Sequence, residues 1–171
     1  MTSIKAVRLP SGEINRPFLP ERFVGRGFTF AGSTIVDVCY RVAASPAPDT
    51  LVLVEGQKVL STGGLVCNNA VPMRKLGLNI PVQAIGALGA DNDLKFDSEG
   101  AMIAGQLQKY GVDIRGLVPM AGRDTSFTQI PTNAQGIKHF MHSYGACADF
   151  NLGTFPMELM LENSIALIGY M

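Results

Sequence analysis

Residues 63–77 read GGLVCNNAVPMRKLG, and after one apolar segment the chain continues into GALGAD at 86–91 and YGVDIRG at 110–116. A glycine pair lets a backbone approach a polyol closely, because no Cβ stands in the way. Asn68, four residues past Gly64, carries both a carbonyl acceptor and an amide donor, the combination that reading vicinal hydroxyls requires. Ala70, Val71, Met73 and Leu76 follow at roughly helical spacing. The polar cluster is therefore predicted where a loop enters a helix that ends at Gly77. Asn69, on another face of that helix, is expected to cap it or to lie on the surface.

Outward from this stretch, strands and helices alternate. FTFAGSTIVDV (28–38) reads as an apolar strand followed by a second one near Asp37 to Val42, PVQAIGALG (81–89) as a buried strand, and AMIAGQLQKYG (101–111) as a helix. Such alternation implies parallel βαβ units and an α/β sheet. LVLVE and QKVL are expected as two short strands around Gly56, and FTQIP and IKHFMHS, joined by TNAQG, as a half-exposed hairpin. Phe127, Phe140, Met141 and Tyr144 are expected to form the apolar face of that layer. SIALIGYM (164–171) reads as a buried strand. His139 and His142, three apart in a strand, point to opposite faces and cannot jointly hold a metal. Asp91, Asp93 and Asp97 read as a solvated acidic turn, because EF-hand spacing and its closing glutamate are missing.

Composition narrows the function. Lys plus Arg and Asp plus Glu number 14 each, and no basic run occurs, so the chain has no electrostatic footprint for nucleic acid or an anionic membrane. No apolar run reaches the roughly 18 to 20 residues that span a bilayer. Charged residues make up 16% of the chain against a usual value of about 25%, so apolar surface is expected to be covered by something or to drive association. Residues 1–25 hold Lys5, Arg8, Arg16, Arg22 and three prolines without an apolar core, and read as an extended arm rather than a secretory signal. Residues 26–171 suffice for one domain. Cys39, Cys67 and Cys147 are odd in number and lack CxxC spacing, which argues for reduced thiols and a cytoplasmic location. The thiols are expected to be mostly buried and inert, with Cys67, inside the glycine loop, the candidate for an accessible one.

The order of these blocks resembles the ribokinase or PfkB carbohydrate kinase family, which also includes adenosine kinase. The family opens with an apolar strand ending in a substrate aspartate, here Asp37. It continues with a glycine pair, an asparagine and a helix ending in LG, here Gly63, Gly64, Asn68, Leu76 and Gly77. A GxxG block with an acidic turn is matched by Gly86, Gly89 and Asp91, a GVD by Gly111, Val112 and Asp113, and a threonine-led strand pair reaching GA by Thr125, Gly145 and Ala146. The chain departs from the pattern at Ile35, where a polar residue is frequent, at the bulky Leu65 and Val66, and at Leu94, where glycine is common. About six residues around 95–100, KFDSEG, read as a polar surface insertion.

The resemblance implies a ribokinase-like three-layer α/β/α fold with a small β lid, at about 37–62 and 125–145, that covers the sugar and often forms a dimer contact. It implies an ATP-dependent kinase that phosphorylates a hydroxymethyl group of a small sugar, using Mg²⁺ with the nucleotide. Asp37, Gly63, Gly64 and Asn68 would hold the sugar. The family's GAGD motif, with its anion hole and general base, is expected beyond residue 171, because Gly89-Ala90-Asp91 precedes the GVD block and belongs to the acidic turn. No catalytic residue is therefore expected among these 171, and the chain alone is expected to be inactive. A nucleoside acceptor is the rival within the class, and a non-catalytic sugar-binding or dimerisation module stands outside it. A dinucleotide oxidoreductase fails on spacing, since no GxGxxG follows the first strand.

Overall fold

The computed structural model describes residues 7–8, 14–15, 27–77 and 79–169. Within the N-terminal arm, β1 (Val7–Arg8) and β2 (Ile14–Asn15) pair antiparallel, and the remainder of the predicted arm lies outside the described residues. The chain then runs through β3 (Phe28–Gly32), β4 (Ile35–Val42), β5 (Val54–Gly63), α1 (Gly64–Lys75), β6 (Val82–Ala90), α2 (Ser98–Lys109), β7 (Asp113–Ala121), β8 (Phe127–Thr132) and β9 (Met141–Ser143). A 3₁₀ turn (Gly145–Asp149), a single-turn α3 (Met157–Met160) and β10 (Ile165–Gly169) follow.

Two four-stranded sheets organise these elements. The first has the order β10-β3-β6-β7 and is parallel throughout. Its central strand β6 is buried at all nine positions, as expected for a parallel strand covered on both faces. Alternation divides that strand between two cores. Ala84 and Leu88 pack with Phe30 and Leu117 against Val66 and Ala70 of α1 and Ile103 and Leu107 of α2. Ile85 and Ala87 face the other way, toward Ala31, Met120, Ala146, Phe150 and Phe155. Helices thus cover one face, and the 3₁₀ turn with the segment leading to α3 covers the other, which is the three-layer α/β/α arrangement. Each fully buried leucine, such as Leu88 or Leu107, contributes roughly 1.5–3 kcal/mol.

The second sheet, β5-β4-β8-β9, is the smaller β layer, with β4 and β8 parallel and both edge strands antiparallel to their neighbours. Here the structure corrects the sequence reading. LVLVE and QKVL do not form two strands, because β5 runs unbroken from Val54 to Gly63. The partners shift from Cys39↔Val59 to Arg41↔Glu55, so the excess residues on β5 bulge at 56–58, where Gly56 takes φ +74°. Asp37 does not close the first apolar strand but lies inside β4. Phe127, Phe140, Met141 and Tyr144 do not share one face: Phe127 packs against the core, while the other three are exposed. His139 lies before β9 rather than in the same strand as His142.

Three further expectations change. β10 lies at the edge of the first sheet, bonded among the described residues to β3 alone, with Ile165, Leu167 and Ile168 exposed, rather than a buried strand. The 95–100 segment is not a surface insertion, since Phe96 packs against the core and Asp97 caps α2. Nor is Asp97 part of a solvated turn. Its carboxylate accepts from Gly100 N (2.7 Å), Thr125 N (2.7 Å) and Thr125 Oγ1 (2.6 Å), and Gly89 N donates to that same Oγ1 (2.9 Å). Asp91 does form an exposed turn, its Oδ1 accepting from Asp93 N and Lys95 N at 2.9 Å each. Leu94, in the same turn, sits at φ +61°.

Candidate functional site

The site is built where the parallel strands end. After Gly32 the chain leaves the first sheet, and Ser33 and Thr34 are held in place by what surrounds them. Thr34, fully buried, donates from Oγ1 to Ala87 O at 2.5 Å. Ser33 receives the first free amides of α1, Leu65 N on its Oγ and Val66 N on its carbonyl, both at 3.1 Å. A helix N-terminus leaves such amides unpaired, and here a residue from another part of the chain satisfies two of them. The N-cap itself, Gly63, offers no side chain. Gly64 has φ +78°, and a Cβ there would lie 2.5 Å from Ser33 O. The crevice beyond the carboxyl ends of parallel strands is the usual ligand site of such sheets.

A cavity of about 780 Å³ opens at this point, lined by Ser33, Ile35, Gly64, Leu65, Asn68, Asn69, His142, Tyr144, Cys147 and Ala148. Of the four predicted site residues, Gly64 and Asn68 line it directly. Asp37 and Gly63 are not among the lining residues, though each neighbours one, Ile35 and Gly64. Asp37 is two residues past Ile35 on the same strand face, and its carboxylate occupies the place that a Cβ on Gly63 would take. Asn68 lies in the second turn of α1 rather than at the loop junction, with its side chain exposed and uncommitted to a cap. Asn69 is corrected from cap or surface to cavity wall: its Nδ2 donates to Leu65 O at 2.7 Å, which turns its carbonyl outward from that bond.

Partial burial raises the Asp37 carboxyl above its ordinary pKa of 3.8, and His142 works against that shift. Burial pushes the Cys67 thiol up to about 12, overriding the hydrogen bond from Thr62, with the Asp37 charge adding to the rise. Cys67 is 3% exposed and faces the core, a buried thiol despite its place in the glycine loop. Cys147, by contrast, lines the cavity, its Sγ donating to Thr34 O at 3.6 Å.

The GA dipeptide closes the site from below. Ala146 N donates to Asp124 O (2.8 Å), Cys147 N donates to Ser126 Oγ (3.2 Å), and that hydroxyl donates to Tyr144 O. Ser33, His142, Tyr144 and Cys147 were not singled out for the site by sequence. Only Tyr144 and Cys147 carried a signal, through adjacency to Gly145 and Ala146.

A parallel three-layer α/β/α core with a β layer beside a helix N-terminus defines the class: a ribokinase-like kinase fold. A sequence profile of the pfkB family carbohydrate kinases matches residues 29–162, and the chain belongs to that family. No curated protein matches the sequence. Among solved structures, the ribokinase of Thermotoga maritima superposes with a TM-score of 0.71 at 18% identity, over 82% of this chain and 44% of that one. The Arabidopsis thaliana ribokinase, complexed with ribose and ATP, gives 0.67 at 17% identity, over 84% and 45%. The nucleoside kinase of Methanocaldococcus jannaschii, an archaeal member of the ribokinase family, gives 0.64 at 19% identity, over 85% and 44%. The chain spans less than half the length of these relatives. Among the described residues no helix is long and apolar enough to cross a membrane.

Proposed function

We propose that the protein carrying this chain transfers a phosphoryl group from ATP to a hydroxymethyl group of a small sugar or sugar-like substrate, and that this chain supplies the sugar site. The observation that carries the reading is the Asp37 carboxylate seated against Gly63, the residue before cavity-lining Gly64, with Asn68 on the same cavity wall. A carboxylate accepts two hydroxyls in one plane with charge assistance, and Asn68 brings an unused donor and acceptor to the same wall. Two relatives with this fold, solved with ribose and ATP and with ADP, support the choice of sugar and nucleotide.

Phosphoryl transfer asks a protein chiefly for positioning and charge neutralisation. In this reading Asp37, Gly63, Gly64 and Asn68 orient the acceptor hydroxyl, and the β layer excludes water. ATP with Mg²⁺ would supply the phosphoryl group and the neutralising charge. By the family resemblance, the reading takes the general base, the anion hole and most of the nucleotide site from outside this chain. Exposed Leu60 and Met141, which share one row of the β layer, favour a homodimer through it.

A nucleoside acceptor is the second reading. It is favoured by a cavity that leaves room beside a monosaccharide, with the rings of His142 and Tyr144 on its wall. The test is ADP release by the protein carrying this chain, with D-ribose, other monosaccharides and adenosine as acceptors. Saturable release with a sugar, abolished in Asp37→Ala, is expected. Release with no acceptor in the panel, or an Asp37→Ala variant with unchanged kinetics, would overturn the reading.

A further inference from the structure

Four polar residues form one row across the β layer. Ser61 of β5 pairs with Asp37 of β4, Asp37 with Thr128 of β8, and Thr128 with His142 of β9. Directly opposed residues in a sheet point to the same face, so this row lies on a single surface, and its far end, His142, enters the cavity wall. His142 is held there on two sides. Its Nδ1 is hydrogen-bonded to Thr128 Oγ1 at 2.9 Å, and its ring meets Tyr144 edge to face, with centroids 4.8 Å apart. Both partners use the Nδ1 side or the ring, which leaves Nε2 open.

We propose that His142 is a specificity-determining residue of the sugar site, its Nε2 reading a substrate hydroxyl on the far side of the ring from the group that Asp37 holds. The inference rests on the sugar-site reading above. An imidazole suits that task in either tautomer. If Thr128 donates to Nδ1, Nε2–H is a donor; if Nδ1–H donates to Thr128, Nε2 is an acceptor. A hydroxyl can answer both. Ile35, two residues before Asp37 on the same face of the β layer, is apolar and offers no such partner, so on this face the polar side chain at the cavity wall is His142.

The experiment compares kcat and KM for D-ribose and its single-hydroxyl epimers in wild type, His142→Ala, His142→Gln and Asp37→Ala, using the protein that carries this chain. His142 is exposed, so the variants keep the fold. For the preferred sugar, His142→Ala should raise KM about tenfold, one hydrogen bond's worth, with kcat little changed. The loss should be concentrated on that sugar and be small for the epimer inverted at the hydroxyl in question. His142→Gln, which keeps a donor and an acceptor near the Nε2 position, should restore most of the discrimination. An equal loss across all epimers, or none, while Asp37→Ala still abolishes sugar use, sinks the role of His142 and leaves the site standing. Unchanged kinetics in Asp37→Ala sink both.

Discussion

The carboxylate of Asp37 fills the space that a Cβ on Gly63 would occupy, its Cγ only 3.0 Å from that point. The two residues come from antiparallel neighbours β4 and β5, and the glycine is what lets the carboxylate lie flat against the turn into α1. This contact separates the roles of two adjacent glycines. Gly63 has an extended backbone, φ −138°, that any residue can adopt, so Gly63→Ala need only displace the carboxylate. Gly64 has φ +78° and Ser33 O against it, so Gly64→Ala strains the backbone itself. Gly63→Ala should retain the wild-type melting temperature and raise the sugar KM by about tenfold or more. Gly64→Ala should lose roughly 1–3 kcal/mol of stability. Thermal melts and sugar kinetics on both variants check this, and a destabilised Gly63→Ala with normal KM would contradict it.

The raised pKa of Asp37 sets a pH dependence with a definite sign. Burial favours the neutral acid in the folded chain, whereas accepting two hydroxyls requires the carboxylate. Sugar affinity should therefore begin to fall, on acidification, at a higher pH than for an ordinary aspartate. Stability runs the opposite way, because a carboxyl with a raised folded pKa costs stability once ionised, at pH values above that pKa. Asp37→Asn should thus be at least as stable as wild type at neutral pH, with the difference vanishing in acid. Meanwhile it should lose roughly 2–4 kcal/mol in kcat/KM. Urea titrations at several pH values, beside kinetics, measure both.

Leu94 stands at φ +61° with its side chain 57% exposed. A branched side chain in the left-handed region costs about 1–2 kcal/mol, and so exposed a leucine recovers little by burial. Leu94→Gly should raise stability by about 1 kcal/mol without altering sugar kinetics. A urea midpoint that falls instead would show that its remaining contacts outweigh the strain.

The thiols should differ in reactivity. Cys67 is buried and its pKa is pushed up to about 12, so almost none of it is thiolate at pH 8. Iodoacetamide should leave Cys67 unlabelled in the native protein and label it only after unfolding. Cys147 lines the cavity and should be protected by bound sugar. Peptide mass mapping with and without sugar reads both, and rapid native labelling of Cys67 would contradict its burial.

What the sequence determined by itself was the order of periodic elements and short glycine-bearing blocks. The alternation of strands and helices, the glycine pair before α1 and the ordered GG, GxxG and GVD blocks sufficed for the α/β class and the family, because backbone freedom and periodicity act over a few residues. Leu94 shows the limit of such reading, since its departure from glycine is visible in the sequence but its positive φ is imposed by the turn around it. What only the tertiary structure decided was which distant residues meet. Ser33 caps α1 across 32 positions of sequence, and Asp97 bonds Thr125 across 28, so a segment that reads as a polar insertion becomes a tie between layers. The row from Ser61 through Asp37 and Thr128 to His142 exists only because four strands from separate parts of the chain fall into one register. Register is set by packing of whole strands and by the bulge at 56–58, neither of which leaves a mark at His142 itself.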